Sequence, residues 1–354
     1  MRLLSRWMTT LALSLLAAGG AAQAQSIEAN ARLYALRNPE RGERIAENAK
    51  KEGVVNVFTS MQIGDSRPLA EAFEKKHGIK VNLFRSSGEK LVQRVMTEAR
   101  GGRHEVDVIE TDGAQMEILF REKHLLPFHS PAMADIPPTI LPGHGAYVPT
   151  RLSLYVMAYN TKLVAPNEVP NSYEDLLKPR WTGKFAVESA DVAWFAAVVK
   201  AMGDDRGLAY FRKLAAMKPS VRHGHTLMAE LVAAGEIEIA LDAHVQGVAR
   251  LKARGAPIEW KPLQPAFGQP SSVGVAARAQ HPHAALLFAD FILSPEGQEI
   301  IKSRNRVPSS NAVDSPLNKF KYGLINPTIA LDEWDKWSRL WSEIFLGGRA
   351  VSRE

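Results

Sequence analysis

Short apolar runs alternate with amphipathic stretches along the chain, a pattern typical of β-strands that alternate with helices. Residues 53–60 and 79–84 are rich in aliphatic and aromatic side chains and predict two buried strands. Between them, Leu69 and Phe73 stand at helical spacing, and Gly78 predicts the end of that helix. This alternation predicts a parallel sheet that helices cover on both faces.

The same alternation continues through residue 159. Ser86 and Glu89 have the spacing of a capping box, which predicts a helix that begins there. Residues 106–110 predict a third strand and residues 113–120 a third helix. The long apolar stretch 147–159 then predicts a strand that leaves this first unit.

The length of 354 residues predicts two domains, because it exceeds what one hydrophobic core usually supports. After residue 159 the pattern indicates a second unit of the same kind. It is predicted to contain a capped helix at Ser172, strands at 184–188, 236–242 and near Ile258, and helices at 193–202, 227–234 and up to Gly255. The last part of the chain predicts a return strand at 272–275, helices at 282–293 and 296–303, and an amphipathic helix at 332–345. We expect the tryptophan stripe of that final helix to pack against the first unit.

The front of the chain resembles an export signal. Two arginines and an apolar run at 7–18, too short to span a bilayer, precede Ala22 and Ala24. We therefore predict a cleavable secretory signal over residues 1–24, which makes the protein periplasmic. No later segment is long and apolar enough to predict a membrane span. The chain has no cysteine, which excludes a lipoprotein anchor and leaves stability to a conventional core.

The net charge of +6 is spread along the chain without a block of lysine and arginine. This distribution does not favour a nucleic-acid partner. We expect a soluble monomer.

Polar residues cluster where predicted strands end and helices begin. In an α/β sheet, ligands bind beyond the carboxyl ends of the strands, where helix N-termini also point. We therefore expect a cleft between the two units. Its candidate ligand-binding residues are Thr59, Ser60, Ser86, Ser87, Gly88, Thr111, Asp112, Glu188, Ser189, Asp191, His225, Thr226, Asp242 and His244.

Five local signatures occur in an order that resembles a known family. They are SSGE at 86–89, YNTK at 159–162, W-x-G-K at 181–184, AGE at 234–236 and LSPEGQ at 293–298. Over residues 52–310 the chain resembles the periplasmic solute-binding proteins of ATP-driven (ABC) importers, in the branch that includes ferric-ion binders. The resemblance implies a type II periplasmic-binding-protein clamshell, an α/β fold of two doubly wound lobes joined by a two-strand hinge.

The resemblance also implies how the chain is divided. Lobe 1 would be discontinuous, 27–150 plus 275–354, and lobe 2 would span 151–274, with the crossing strands at 147–159 and 272–275. The lobes would close over a small solute, and the closed form would dock on a membrane permease. No catalysis and no cofactor are expected.

The ligand has two interpretations. Ferric binders of this branch use two adjacent tyrosines after the strand that here ends at Asp242, and this sequence continues AHVQG, with no tyrosine pair. A divalent metal ion remains possible as the transported ligand, and the candidate metal ligands are His223, His225, Asp242 and His244.

The other interpretation is a small organic or phosphorylated anion. The Ser86–Gly88 loop opens a helix, and its N–H groups favour negative charge. Ser189, His225 and Thr226 would meet the anion from lobe 2. The carboxylates of Asp112, Asp191 and Asp242 would pair an amine if the ligand is a zwitterion.

Two rival functions use the same residues. A periplasmic sensor or adaptor would close over its ligand in the same way. A metal-dependent hydrolase would use aspartate and histidine to activate water, but the chain has neither a His-Glu-x-x-His nor a Gly-x-Ser-x-Gly motif.

Overall fold

The structure, a computed structural model, describes residues 26–351, so the predicted signal segment lies outside the described residues. The helices are α1 (26–34), α2 (Arg41–Glu52), α3 (Ile63–His77), α4 (Gly88–Arg100), α5 (Gly113–Arg121), α6 (Val192–Met202), α7 (Asp204–Ala216), α8 (His225–Ala234), α9 (Val245–Ala253), α10 (Pro282–Leu293), α11 (Pro295–Ser303), α12 (Pro327–Asp332) and α13 (Trp334–Trp341). The strands are β1 (Val54–Thr59), β2 (Lys80–Arg85), β3 (Val108–Asp112), β4 (Leu125–Leu126), β5 (Tyr147–Asn160), β6 (Phe185–Glu188), β7 (Ser220–Arg222), β8 (Ile239–His244), β9 (Ile258–Lys261), β10 (Phe267–Ala276), β11 (Val307–Pro308) and β12 (Gly323–Leu324).

The strands form two parallel groups joined by antiparallel strands. Their order is β2-β1-β3-β10-β5-β8-β6-β7. β1 pairs in parallel with β2 and β3, and β6 pairs in parallel with β7 and β8. The predicted α/β class is therefore confirmed, with one parallel group in each half of the molecule.

Two long strands pass from one half to the other. β5 pairs with β10 from Tyr147 to Leu154 and then with β8 and β9 from Tyr155 onward. β10 runs antiparallel to β5 and also pairs with β3. The crossing predicted at 147–159 is thus present as β5, and the return strand predicted at 272–275 lies within the longer β10.

Each half has its own apolar core. The lobe 1 core is built around β1, β3 and α10, where Phe73 meets Phe288 and Phe291 edge to face. The lobe 2 core contains Trp194 and Phe195 of α6.

The C-terminal helix packs against the core of lobe 2. Trp337 and Trp341 of α13 lie 5.8 and 5.3 Å from the ring of Phe195. The indole N–H of Trp341 donates to the backbone oxygen of Ser189 at 2.8 Å. The expectation that this helix packs on lobe 1 is therefore wrong. After α11, which packs in lobe 1, the chain passes between the halves a third time, where the resemblance implied two crossings.

The expected capping box at residue 86 is also wrong. α4 begins at Gly88 with Ser87 as its N-cap, and the side chain of Ser87 accepts no hydrogen bond from the helix. The hydrophobic pattern of the sequence did not predict α2, α7 or β7. β7 is only three residues long, too short for alternation to be visible.

Candidate ligand-binding cleft

A cavity of about 440 Å³ lies between the two halves, and residues from both halves and from the crossing strands line it. Four helices begin at this cavity. Asp112 ends β3 and precedes α5, Asp191 precedes α6, His225 opens α8, and His244 ends β8 and precedes α9. The carboxyl ends of parallel strands therefore place these four side chains around one space.

The lining is mixed in character. Its residues are Glu89, Val92, Gln93, Asp112, Gly113, Ala114, Gln115, Ile118, Ser153, Tyr155, Ala190, Asp191, Ala193, His225, His244, Gln269, Pro270, Ile325, Pro327, Ala330, Leu331 and Trp334. A volume of this size suits a small organic molecule.

The lobe 2 side of the cavity carries a compact polar cluster. The rings of His225 and His244 stack with centroids 3.6 Å apart. Nε2 of His225 lies 3.4 Å from Oδ1 of Asp191. The hydroxyl of Tyr155 lies 3.4 Å from the same Asp191 oxygen. One carboxylate therefore faces both an imidazole and a phenol.

The two stacked histidines have opposite protonation preferences. Burial disfavours the charged form of His225, but the carboxylates of Asp191, Asp242 and Glu188 outweigh burial and raise the pKa of His225 to about 9. Burial, followed by the charge of His225, lowers the pKa of His244 well below its ordinary value. At neutral pH the pair thus carries one positive charge, on His225.

Tyr155 lines the cavity from crossing strand β5. Its hydroxyl has one proton and two acceptors within reach, Oδ1 of Asp191 at 3.4 Å and Oε1 of Gln269 at 3.2 Å. Burial, followed by the charge of Asp191, raises the pKa of Tyr155 well above its ordinary value. The phenol therefore keeps its proton at neutral pH.

Three residues of the lining each hold one buried polar atom that has no hydrogen-bond partner. These atoms are Oδ2 of Asp191, Nδ1 of His225 and Nε2 of His244. Buried polar groups in folded proteins are nearly always satisfied, and an unsatisfied one costs free energy. Three such atoms beside one cavity are the pattern expected of a site that a ligand completes.

Asp242 and Glu188 form the framework behind this cluster. Both carboxylate oxygens of Asp242 accept the backbone N–H of Glu188, at 3.1 and 3.0 Å. The Glu188 carboxylate accepts the N–H groups of Ala190 and of Gly224, the latter at 2.8 Å. Burial raises the pKa of Asp242 well above its ordinary value. These bonds fix the loops that precede α6 and α8.

A second buried network lies on the lobe 1 side. The Ser271 hydroxyl donates to Oδ1 of Asp112 at 2.6 Å, and Nη1 of Arg151 donates to the same hydroxyl at 2.6 Å. Arg151 also lies 3.3 Å from Glu110, which accepts the hydroxyl of Thr59 at 2.6 Å. This network orients Asp112 and satisfies the charge of Arg151.

The structure brings four of the predicted ligand-binding residues to the cavity: Asp112, Asp191, His225 and His244. Ten others do not line it: Thr59, Ser60, Ser86, Ser87, Gly88, Thr111, Glu188, Ser189, Thr226 and Asp242. The hydroxyl of Thr111 donates to that of Ser60 at 3.0 Å, and a Cβ added at Gly88 would lie 2.9 Å from Oγ1 of Thr111. None of the three residues of the Ser86–Gly88 loop lines the cavity, and Ser87 is exposed.

The predicted metal ligands come together only in part. His225 and His244 touch face to face, and Asp242 lies behind them. His223 is 65% exposed, with Nδ1 3.3 Å from Oε1 of Glu188. Within residues 26–351, no group of three or more histidine, cysteine, aspartate or glutamate side chains is arranged to hold a metal ion.

Sequence reasoning missed most of the polar lining. The residues it missed are Glu89, Gln93, Gln115, Ser153, Tyr155 and Gln269. Tyr155 stands on β5, which the sequence did predict, whereas Gln269 stands on the part of β10 that precedes the predicted strand at 272–275. Their signal was a polar side chain in an apolar strand that passes between two lobes.

Comparisons with known proteins identify the family. A family model described as bacterial extracellular solute-binding protein matches residues 68–321, which is more than half of the chain. The chain belongs to this family. Its members bind substrates and are not enzymes, and the resemblance seen in the sequence signatures to the solute-binding components of importers is confirmed.

Two curated relatives are iron proteins. The Fe(3+)-binding periplasmic protein of Serratia marcescens is 28% identical over 285 residues, covering 77% of this chain and 83% of that protein. The iron uptake protein A1 of Synechocystis sp. is 25% identical over 295 residues, covering 78% of this chain and 80% of that protein.

Two solved structures have the same fold. Iron-bound HitA from Pseudomonas aeruginosa has a TM-score of 0.70 at 21% identity and covers 82% of this chain and 99% of its own. AfuA from Actinobacillus pleuropneumoniae, with exogenous fructose-6-phosphate bound, has a TM-score of 0.68 at 20% identity. The match covers 83% of this chain and 99% of AfuA. The predicted two-lobed clamshell fold is thus confirmed. Among residues 26–351, no helix combines the length and apolar character needed to cross a bilayer.

Proposed function

We propose that this solute-binding protein captures a small organic solute that carries an ammonium group. The observation that carries the proposal is the charge of the cavity lining. Three carboxylate side chains, those of Glu89, Asp112 and Asp191, line the cavity, whereas His225 supplies the one positive charge. No lysine or arginine is among the described residues that line it.

This charge balance favours a cationic group over an anion. An ammonium ion has three donors, and Asp191 offers a buried oxygen without a partner. A charge-assisted hydrogen bond is stronger than a neutral one, and more so where water is excluded. An anion would instead face three carboxylates with one imidazolium to offset them. A phosphorylated ligand is disfavoured for the same reason.

A bare ferric ion fits this cavity less well than an organic molecule does. A cavity of about 440 Å³ is far larger than a metal ion with its first ligands. Tyr155 keeps its phenolic proton, and the positive charge of His225 repels a cation placed beside it. An ammonium group carries a single charge, so His225 repels it less than it repels a ferric ion, and the Glu89 and Asp112 carboxylates offset that repulsion from the lobe 1 side.

We also propose a cellular setting and a partner for this protein. The protein acts in the periplasm after removal of residues 1–24, as a monomer, and delivers its solute to the permease of an ATP-driven importer. The two lobes close over the solute about the crossing strands β5 and β10. The packing of α13 on the lobe 2 core supports a revised division, in which residues 334–346 belong with lobe 2 rather than lobe 1.

The test is a thermal-shift and calorimetric panel on the protein freed of bound solute by partial unfolding. The panel holds 2-phenylethylamine, L-phenylalanine, fructose 6-phosphate and ferric citrate. We expect stabilisation by the first two, because a ligand at 100-fold over its Kd stabilises by about 2.7 kcal/mol. Stabilisation by ferric citrate or fructose 6-phosphate alone would overturn the proposal.

One substitution connects the result to the cleft. Asp191→Asn should weaken binding of 2-phenylethylamine by roughly 10-fold or more, because a hydrogen bond to a charged group contributes about 1.5–3 kcal/mol. Asp205→Asn is the matched control. It removes the same charge, and Asp205 is exposed at the start of α7, outside the cavity. Equal losses in both variants would mean that net charge, not the site, drives binding.

A further inference from the structure

We propose that the C-terminal segment supplies an apolar subsite, so that the solute joins its ammonium group to an apolar body. The inference rests on the proposed function and narrows its solute class. We call the five residues of this segment that line the cavity the C-terminal wall. They are Ile325, Pro327, Ala330, Leu331 and Trp334.

The C-terminal wall is apolar throughout, unlike the rest of the lining. Lobe 2 contributes Asp191, His225 and His244, whereas all five residues of the wall have apolar or aromatic side chains. α12 packs against α5, whose Ile118 also lines the cavity. The cavity therefore has a charged part and an apolar part. Apolar surface on a solute is stabilised only where it meets such a wall.

Contacts on both halves fix the position of the wall. Asp332, at the end of α12, accepts two hydrogen bonds from Arg121 of α5, at 2.5 and 3.1 Å. A Cβ added at Gly113 would lie 3.6 Å from Cβ of Pro327, so α12 lies close to the start of α5. On the other side, Nζ of Lys200 on α6 lies 3.2 Å from Glu333.

The wall also lies beyond the part of the chain that matches the family. That match ends at residue 321, and the wall begins at Ile325. The matched part contains the crossing strands and the polar cluster. The general clamshell therefore comes from the matched part, and the wall adds a determinant of solute choice that the family match does not describe.

The experiment measures binding of a graded amine series by isothermal calorimetry on the mature chain. The probes are n-propylamine, 3-methylbutylamine and 2-phenylethylamine, which share one ammonium group and differ in apolar body. We expect affinity to rise roughly fourfold for each methylene equivalent that becomes buried. Leu331→Ala should lower the affinity for 2-phenylethylamine by roughly 10-fold and change the affinity for n-propylamine by less than about twofold.

Ile329→Ala is the matched control. Ile329 lies on the same helix and is half-buried like Leu331, but it does not line the cavity. We expect its affinities to match the parent across the series. If Leu331→Ala fails to fold, Ala330→Leu tests the same wall by filling it, and should exclude 2-phenylethylamine while n-propylamine still binds.

The outcomes separate this inference from the proposed function. The inference of an apolar subsite is contradicted if amine affinity does not depend on apolar size, or if Leu331→Ala and Ile329→Ala lose affinity equally. Either result leaves the proposed ammonium site unaffected. Failure of every amine to bind, at concentrations up to the millimolar range, overturns the proposed function and the wall with it.

Discussion

At the scale of single residues, the site depends on two imidazole rings in contact. The sequence placed His225 and His244 at the ends of neighbouring elements, and the structure stacks them 3.6 Å apart beside Asp191. Strand and helix periodicity predict where such residues lie along the chain. They do not predict which pairs touch, because that depends on the angle at which two helices leave the sheet. The stacking of the two rings, and the location of their single positive charge on His225, could therefore not be predicted from the sequence.

The histidine pair predicts a pH dependence of stability. Folded His225 keeps its proton up to a pKa of about 9, whereas an unfolded histidine releases it near 6.5. Its stabilising contribution is therefore complete below pH 6.5 and is lost as the pH rises through about 9. For His244 the sign is opposite, because the folded ring stays neutral when the unfolded one binds a proton. Its contribution is lost as the pH falls below 6.5.

Urea unfolding between pH 5 and pH 10, on the parent and on His225→Gln and His244→Gln, checks both signs. We expect His225→Gln to flatten the alkaline decline and His244→Gln to flatten the acid decline. Identical pH profiles for all three proteins would contradict the assigned protonation states.

At the scale of elements, one of the sequence signatures that indicated the family stabilises the fold. In the LSPEGQ signature, the amide of Gln298 donates to the backbone oxygens of Thr150 and Ile292 at 3.0 and 2.9 Å. Its oxygen accepts the N–H groups of Ser309 and Ser310. This one side chain ties α11 to crossing strand β5. The LSPEGQ signature therefore serves the fold and does not identify the solute, whereas the SSGE signature contains Glu89, which lines the cavity.

The glycine of that signature predicts a large stability effect. A Cβ at Gly297 would lie 2.3 Å from the backbone oxygen of Phe291 and 2.9 Å from Cα of Ile292, so the backbone between α10 and α11 would have to shift. Gly297→Ala should cost about 3 kcal/mol of unfolding free energy. Gly247→Ala is the control, because its added Cβ has no heavy atom within 4 Å and alanine favours a helix.

Urea unfolding of the two glycine variants measures the difference. We expect Gly297→Ala to lower the midpoint strongly and Gly247→Ala to leave it unchanged or slightly raised. Equal midpoints would mean that the contact between α10 and α11 relaxes freely.

The amphipathic helix α13 shows what an element pattern leaves open. Its tryptophan spacing predicted a helix with one buried face, and the structure confirms the helix and the burial of Trp337 and Trp341. The pattern does not say which apolar core receives that face, since the spacing of apolar residues within a helix carries no information about the partner of the helix. The expected packing on lobe 1 failed for this reason, and with it the apolar wall of the cavity went unpredicted.

At the scale of the whole molecule, the two-lobed architecture could be predicted well. Strand–helix alternation identified the parallel sheets, and the long strand at 147–159 marked the passage between halves. β5 indeed pairs with lobe 1 strands up to Leu154 and with lobe 2 strands from Tyr155. The third passage could not be predicted, because the segment that makes it contains only short elements such as β11 and β12. Short elements carry little periodicity.

Closure of the two lobes over an ammonium-bearing solute can be measured directly. The chain has no cysteine, so Lys90→Cys on α4 and Glu230→Cys on α8 allow two dyes to be attached at exposed positions, one on each lobe. Single-molecule energy transfer between the dyes then reports the separation of the lobes.

We predict that saturating 2-phenylethylamine shifts the population to a shorter dye separation, that fructose 6-phosphate does not, and that Asp191→Asn moves the transition to higher amine concentration. A dye separation that stays the same at saturating amine, or one that shortens equally in Asp191→Asn, would contradict closure over an ammonium group.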